Sequence, residues 1–488
     1  MKSNLSFYLC TLLIVGVGIF AVLHFGAGLP FPARSGMEAK SESSVAKPAA
    51  SPGIKASSST LSAVVDGLVV NANEPLSRLL VQLLVILLAA RLTGAVFTRF
   101  GQPAVVGEMA AGILLGPSLF GWLSPDVFQF VFPATSLGTL KMLSQIGVCL
   151  FLFSVGMEVD TGHVRKKAHT AVMVSHASMV IPFFLGVLLA YFIYTSLAQP
   201  GTTFTAFALF MGISMSVTAF PVLARILQER RLTNTFLGST AITCAAVDDV
   251  TAWSVLAFIV AIVRATSMAA SIVNLVLVVA FISFMVLIVR PALPRIIGTR
   301  NLECEDPPKG VLALVLCVVV ASALLTEIIG IHALFGAFLA GAIMPDTGGF
   351  RKKLVVRVEN FSSVFLLPLF FAFVGLRTQI NLLNDWQGWL LCLGIIAVAT
   401  LGKLGGSAIA ARWTGMRWSQ SLQLGALMNT RGLMELIVLN MGYDLGILSP
   451  RIFTMMVIMA LVTTMMTGPL LTLFGSRQPA LGPEAVPA

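Results

Sequence analysis

The chain has 488 residues, of which 57% are hydrophobic and only 11% are charged, and its mean hydropathy is +0.93. Soluble proteins carry roughly 25% charged residues, so this composition excludes a water-soluble fold. The net charge of +10 does not indicate a nucleic-acid partner, because the basic residues lie in loops between apolar stretches long enough to span a bilayer. The sequence predicts an all-α polytopic membrane protein.

An apolar stretch opens the chain. Within residues 1–29 it runs from about Phe7 to Phe25, behind a single Lys2, which fits either a membrane anchor or a cleaved signal segment. No small-x-small cleavage site stands out after it, and this favours the anchor. Residues 30–74 are rich in Ser, Ala, Pro and Lys, the composition of a disordered linker.

Thirteen core spans are predicted within residues 75–475, which form one transmembrane domain. The second and ninth are short and rich in glycine. Residues 476–488 form a short tail. The spans lie near residues 76–98, 103–121, 137–157, 170–197, 203–226, 235–263, 268–289, 310–329, 331–345, 359–376, 387–411, 419–442 and 452–474.

Basic residues mark the loops on one side of the membrane. If residue 76 starts outside, the inner loops include the basic clusters within 165–167, 290–309 and 351–357, whereas the short outer loops hold only Arg264, Arg377 and Arg451. Loops rich in Lys and Arg stay in the cytoplasm. The sequence therefore predicts a cell inner membrane protein whose core starts outside and whose C-terminus is cytoplasmic.

Two pairs of segments resemble each other in the same order. Residues 107–117 (GEMAAGILLGP) in the second span resemble residues 336–345 (GAFLAGAIMP) in the ninth, and residues 151–156 (FLFSVG) in the third resemble residues 370–375 (FFAFVG) in the tenth. Seven spans separate the members of each pair, so they cross the membrane in opposite directions. Inverted repeats are typical of secondary transporters, whose sites lie at the midplane between the halves.

The repeat makes the fifth and twelfth spans partners, and both are interrupted. A proline in the fifth removes an N–H that the helix needs, and a polar run followed by glycine interrupts the twelfth. Carbonyls and hydroxyls freed at such breaks can replace a cation's water shell. The alternative is a simple proline kink with Thr218 bonded to its own backbone. The residues at the breaks are Ser216, Thr218 and Pro221 in the fifth span and Asn429, Thr430 and Gly432 in the twelfth.

Asp248 and Asp249 lie midway along the sixth span, where each charge costs roughly 2.5–3.5 kcal/mol on insertion scales. Neighbouring helical residues diverge by about 100°, so the two carboxylates can serve different partners. Carboxylates this close titrate as a coupled pair, and such a site can hold either a proton or a metal cation. That competition is the simplest chemistry of antiport.

Other charges also fall at membrane depth. Lys403, in the eleventh span, is the natural counter-charge, because a buried lysine can release its proton when a cation displaces it from Asp248. Arg431 keeps its charge and is expected to form a structural ion pair in the core with Glu327 or with Glu435, one turn along the same helix.

These segments resemble motifs of the monovalent cation:proton antiporter-2 family, which carries the sodium/hydrogen exchanger domain. The likeness covers residues 75–475 in order and is closest in motifs to the plant cation/H+ exchanger branch. The matching segments are residues 102–117 (QPAVVGEMAAGILLGP), 216–225 (SVTAFPVLAR), 246–253 (AVDDVTAW), 329–338 (IGIHALFGAF) and 429–436 (NTRGLMEL).

The resemblance implies a homodimer with an inverted-repeat antiporter fold, in which a six-helix core carries two broken, crossed helices and moves like an elevator. It implies that Asp249 is the main ligand of the transported Na+ or K+, that Thr218 lies at the same site, and that Asp248 and Lys403 form the salt bridge of electrogenic members. We place Ser216 at the ion site as well. Many plant exchangers have Asn where this chain has Asp248, and this departure favours more than one proton per cation.

Two other functions use buried carboxylates, namely a passive cation channel and an intramembrane aspartyl protease. We favour exchange because an Asp pair facing a lysine resembles an occluding site, and because neighbouring carboxylates on one helix point apart and cannot share a catalytic water. The cysteines are scattered singly and the histidines form no metal motif, so neither an enzyme nor a cofactor is expected. The expected partners are protons, a monovalent cation and lipid, with Na+ and K+ both open.

Overall fold

The computed structural model describes residues 2–32, 71–72, 74–158, 168–233, 235–264, 268–304 and 306–475. These residues form helices, and the described ranges contain no strand beyond one isolated bridge between Ala198 and Leu448. The predicted all-α membrane architecture is confirmed. The basic loop at 165–167, the tail at 476–488 and almost all of the predicted linker lie outside the described residues.

In chain order, the principal helices are α1 (Lys2–Gly26), α2 (Pro75–Arg99), α3 (Ala104–Leu115), α4 (Leu137–Glu158), α5 (Ala168–Leu197), α6 (Phe204–Ser216), α7 (Phe220–Glu229), α8 (Phe236–Arg264), α9 (Met268–Phe284), α10 (Arg290–Ile297), α11 (Lys309–Ile329), α12 (Ala333–Ala342), α13 (Phe350–Phe361), α14 (Leu367–Arg377), α15 (Trp386–Thr400), α16 (Gly406–Trp413), α17 (Trp418–Met428), α18 (Leu433–Asp444) and α19 (Pro450–Gly475).

Eleven helical stretches in the described ranges are long and apolar enough to cross a membrane. Two of the thirteen predicted spans differ, since the ninth is the short helix α12 and the twelfth is the pair α17 and α18. The seventh and tenth spans run further than predicted, because wide π-type turns at Met285–Val289 and Ser362–Leu366 join α9 to α10 and α13 to α14. The predicted N-terminal segment is helical and packs on α5.

The face that α2 turns outward is apolar. Leu76, Leu80, Leu84, Leu88 and Leu92 recur every four residues and are 55–67% exposed. The buried face consists of Gln82, Ile86, Ala90 and Gly94. An outer face of leucines and a buried glutamine reverse the arrangement of a soluble protein's surface helix. Lipid accepts apolar side chains but cannot form hydrogen bonds with polar ones. The chain is a multi-pass membrane protein.

The helices pack in two groups. The scaffold group contains α2 to α4 and α11 to α14, which contact one another closely. The core group contains α5 to α8 and α15 to α19. Helices α9 and α10 connect α8 of the core group to α11 of the scaffold group, and α3 packs against α19 across the boundary. The core group holds both interrupted spans.

Glycines bring helix backbones together inside the scaffold group, and they do so symmetrically. Gly112 of α3 lies so close to Gly375 of α14 that a Cβ on Gly375 would collide with the Gly112 backbone. Gly341 of α12 lies equally against Gly156 of α4, whose Cα would be 3.0 Å from a Cβ on Gly341. In the two resembling pairs of segments, Gly112 matches Gly341 and Gly156 matches Gly375. The two contacts are therefore equivalents under the inverted repeat.

Gly375→Ala is expected to lower the free energy of unfolding by about 1–3 kcal/mol, the usual cost of overpacking, because the rigid backbone of α3 cannot move away from the added methyl group. Thermal unfolding of the purified protein in detergent measures this. Gly138→Ala, in the first turn of α4 where a Cβ meets nothing within 4 Å, is the control. Equal midpoints for the two variants would contradict the close approach of α3 and α14.

Candidate functional site

Both interrupted spans are fully broken helices. α6 stops at Ser216 and α7 starts at Phe220, with extended backbone at Val217 and Ala219 between them. Pro221 sits in the first turn of α7, where its missing N–H costs nothing. The structure therefore replaces the alternative of a continuous kinked helix with two half helices.

The second break meets the first. α17 ends at Met428 and α18 starts at Leu433, after Gly432 with φ +148°, which favours glycine. The Ala219 N–H of the first break donates to the Thr430 carbonyl of the second at 3.0 Å. The two unwound segments thus cross, and each supplies a partner that the other's helix lacks.

Asp248 of α8 lies at this crossing and is completely buried. Ser175 Oγ donates to its Oδ1 at 2.5 Å, and Ser178 Oγ and Thr218 Oγ1 donate to its Oδ2 at 2.8 and 2.6 Å. Lys403 Nζ lies 3.2 Å from the same Oδ2. Four donors around one carboxylate stabilise its charged form inside the membrane.

Lys403 links Asp248 to the end of α6. Its ammonium donates to the carbonyl of Ser216, one of those freed at the break, and lies 3.4 Å from Ser178 Oγ. The Ser216 hydroxyl donates to the Gly212 carbonyl at 2.6 Å. Of the residues predicted at the ion site, Thr218 therefore bonds Asp248 directly. Ser216 is connected to Asp248 through Lys403.

Asp249 is the next residue of α8 and is 2% exposed. Its side chain leaves the helix about 100° around the axis from that of Asp248, so the two neighbouring carboxylates point in different directions. Beside the breaks, the amide of Asn429 is completely buried and makes no hydrogen bond among the described residues. Leaving such a group unsatisfied costs about 1–3 kcal/mol.

Arg431 satisfies the other carbonyls at the end of α6. Its guanidinium donates to Ser214 and Met215 carbonyls at 3.0 and 2.7 Å and lies 3.5 Å from Glu435. The predicted pairing of Arg431 with Glu435 is therefore present, and the alternative pairing with Glu327 is wrong.

Glu327 is exposed at the end of α11, and its Oε2 accepts the Ala333 N–H of α12 at 2.8 Å. It serves the start of a helix, where a carboxylate is favourable, and does not lie in the buried core that the sequence predicted for it.

Sequence reasoning missed four hydroxyls. Ser175 and Ser178 are three residues apart on one face of α5, and on α19 Thr464 Oγ1 lies 3.1 Å from Arg431 N and 2.7 Å from Arg431 O. Thr467 Oγ1 lies 3.2 Å from Thr430 Oγ1. The available signal was hydroxyls recurring at i, i+3 in otherwise apolar spans, the spacing that puts side chains on one helix face.

A cavity of about 500 Å³ approaches the crossing from one end of the protein. Pro221 and Leu433, which follow the two breaks, lie in its wall. Its charged lining residues are Arg91, Glu108, Arg225 and Glu359. The cavity therefore connects the neighbourhood of the crossing with that end of the protein.

Comparison with known proteins places the site in context. Residues 84–475 match the family described as sodium/hydrogen exchanger, transmembrane. Over 396 residues the chain is 44% identical to the Na(+)/H(+) antiporter NhaS4 of Synechocystis sp.. This match covers 80% of this chain and 96% of that protein.

Longer relatives match as well. The chain is 40% identical over 393 residues to Cation/H(+) antiporter 17 of Arabidopsis thaliana and 33% identical over 411 residues to K(+)/H(+) antiporter 1 of Saccharomyces cerevisiae. These matches cover 80% and 82% of this chain but only 48% and 46% of those proteins, so it spans about half their length.

A solved structure shares the fold. The sodium proton antiporter MjNhaP1 from Methanocaldococcus jannaschii matches with a TM-score of 0.58 and 16% identity, over 81% of this chain and 96% of that chain. The inverted-repeat antiporter fold predicted from the sequence is thereby confirmed.

Arg431→Met is expected to lower the free energy of unfolding by about 3–5 kcal/mol, because it leaves Glu435 as an uncompensated buried charge and two carbonyls unpaired. The double variant Arg431→Met/Glu435→Gln removes that charge and should recover part of the loss. Thermal unfolding in detergent compares them, with Glu327→Gln as a control expected to change stability by less than about 0.5 kcal/mol. No recovery in the double variant would contradict the Arg431–Glu435 pair.

Proposed function

Because the chain belongs to the transmembrane sodium/hydrogen exchanger family, as its motifs predict, we propose that it is a secondary active antiporter that exchanges a monovalent cation for protons. The observation that carries this proposal is the buried Asp248–Asp249 pair at two crossed helix breaks, with Lys403 beside it. One relative is named a Na(+)/H(+) antiporter and another a K(+)/H(+) antiporter, so both ions are candidate substrates.

The buried charges at the centre favour one monovalent cation. Asp248, Asp249 and Glu435 are carboxylates, and Lys403 and Arg431 are the buried basic groups around them. With all five ionised, the centre has one uncompensated negative charge, which is costly at membrane depth. A single Na+, K+ or proton cancels it, so cation and proton compete for the same position.

We assign the cation to Asp249. The oxygens of Asp248 already accept four hydrogen bonds from hydroxyls and Lys403, so this carboxylate has less capacity for an ion. The Asn429 amide offers a neutral oxygen that would become satisfied on binding. Thr218 holds Asp248 in place and keeps an oxygen lone pair at the same crossing.

Lys403 gives the exchange its electrical character. When a cation binds, the positive charge next to Asp248 and Asp249 repels the ammonium, and a desolvated lysine releases its proton readily. When the cation leaves, Lys403 takes a proton again and restores the bond to Asp248. Together with the proton that the cation replaces at Asp249, the proton from Lys403 makes two protons per cation, so the cycle moves one net charge and is electrogenic.

Alternating access follows from the two helix groups. The core group carries the whole site, and we propose that it slides against the scaffold group as an elevator, presenting the site to each side in turn. The 500 Å³ cavity is the route in one of these positions. The resemblance to the family supports a homodimer, in which the scaffold groups would stay fixed.

The positive loops support an orientation for the protein. Arg91 and Arg225 line the cavity and lie toward the ends of the first and fifth predicted spans, which face the inside when residue 76 starts outside, so the cavity opens to the cytoplasm. In this arrangement the core starts outside, the C-terminus is cytoplasmic, and the membrane is the cell inner membrane.

The two competing functions fit this geometry less well. A passive channel needs an open path past the site, whereas Asp248 is 0% and Asp249 2% exposed. An aspartyl protease needs carboxylates that face each other across a water, whereas these two are consecutive on α8. Exchange at an occluded site accounts for both observations.

Asp249→Asn is expected to abolish cation-driven proton movement, because a neutral amide cannot exchange a proton for a cation. Purified protein is reconstituted in vesicles with an imposed pH gradient, and the dissipation of that gradient by added Na+ or K+ is followed with a pH-sensitive dye. Asp126→Asn, an exposed carboxylate in a short helix at the surface, should exchange normally. Near-normal exchange by a folded Asp249→Asn protein would refute the proposal.

Lys403→Gln is expected to reduce the charge moved per transported cation, since glutamine bonds to Asp248 without carrying a proton. Currents on supported membranes, divided by the flux of labelled cation in the same preparation, give this ratio. The expected ratio falls from about one net charge per cycle toward zero. An unchanged ratio would show that Lys403 carries no transported proton.

A further inference from the structure

Charged residues of the scaffold group hold the end of α18. Asp444 is the last residue of this core-group helix, and its carboxylate lies 3.0 Å from Lys141 Nζ of α4 and 2.8 Å from Arg377 Nη2 of α14. Arg377 also donates to Asn440 Oδ1 at 3.0 Å. These bonds cross the boundary between the groups and tie a half helix of the ion site to two scaffold helices.

The cluster is partly sheltered from solvent. Lys141, Asp444 and Arg377 side chains are 34%, 25% and 18% exposed. The Arg377 guanidinium lies 4.2 Å from the Phe373 ring centre and 5.0 Å from that of Tyr443. Partial burial and stacking make these salt bridges stronger than ordinary surface pairs. Each charged group is still exposed enough to be hydrated when the salt bridge breaks.

The cluster and the large cavity lie at opposite ends of the same helices. On α4, Phe151 and Val155 line the cavity and follow Lys141 by ten residues or more, which is about 15 Å of helix. On α14, Leu367 lines the cavity and precedes Arg377 by a similar length. The protein is therefore open at one end and bridged by charges at the other.

We propose that Asp444, Lys141 and Arg377 form an ionic latch that holds the end opposite the cavity closed. The inference rests on the proposed function, because an exchanger must close one side while the other is open. When the core group moves to expose the site at the latched end, α18 separates from α4 and α14, and both bridges break. The latch therefore sets how often that end opens.

The test uses a thiol placed behind the latch. Ser144 is 1% exposed and lines a small cavity together with Asn440 and Asp444, so a cysteine there becomes accessible when this end opens. A membrane-impermeant maleimide is added from the latched side, and labelling of the parent protein without the added cysteine is subtracted. Asp444→Asn, which loses both bridges at similar size, is expected to raise the labelling rate of Ser144→Cys about fivefold.

A matched control tests whether the boundary matters. Asp385 and Arg451 form a pair at 2.5 Å with 42% and 35% exposed side chains, and both belong to the start of core-group helices, α15 and α19. Because this pair moves as one body, Asp385→Asn should leave the labelling rate unchanged. Lys141→Gln and Arg377→Gln each remove one bridge and should give intermediate rates, which tests the latch even if Asp444→Asn folds poorly.

The outcomes separate the latch from the exchange activity. Labelling needs no transport, so unchanged labelling in Asp444→Asn, Lys141→Gln and Arg377→Gln would overturn the latch even if the parent exchanges cations normally. An equal rise in Asp385→Asn would also overturn it, as a general loosening. Faster labelling in a protein without exchange activity would support the latch and count against the antiporter instead.

Discussion

The structure depends on how backbone polar groups are satisfied where two helices stop inside a membrane. Lipid offers no hydrogen bonds there, so each carbonyl freed at the end of α6 needs a donor from elsewhere in the chain. Arg431 donates to Ser214 and Met215, and Lys403 donates to Ser216. Two basic side chains thus donate to the carbonyls in the last turn of α6. The need for these donors brings positive charge to the centre of the protein.

These two basic side chains in turn explain why carboxylates are buried beside them. Buried Lys and Arg side chains require negative partners, and Asp248 and Glu435 supply them at 3.2 and 3.5 Å. Asp249 adds a third carboxylate beside Asp248 at the crossing, one more than the two basic groups balance. The break, its donors and their counter-charges form one system, so in the proposed exchange a cation that binds at Asp249 would change the balance that keeps Lys403 protonated.

The sequence showed the breaks and the Asp pair because both violate local rules, a proline or a polar run within an apolar span and charges at membrane depth. It did not show Ser175 or Ser178, since a hydroxyl in an apolar helix usually bonds its own backbone and only tertiary packing redirects it. It misplaced Glu327 for a related reason. The pattern placed the eighth span's end near residue 329 and the ninth span's start near residue 331, but it does not show that the Glu327 side chain is exposed and accepts the Ala333 N–H.

The glycine contacts indicate where the protein can move. In the scaffold group, the helix contacts at Gly112 and Gly341 interlock backbone with backbone, and in the core group Gly186 of α5 meets the backbone of α6 at Met211 in the same way. Interlocked backbones cannot slide without losing tight packing throughout. At the boundary, the nearest atom of Met109 to Gly432 belongs to the flexible Met109 side chain, with Sδ 3.9 Å from a Cβ built on the glycine. Side-chain contacts of this kind can re-form at a new register, so relative motion belongs at the boundary, where Asp444 and its partners hold one position.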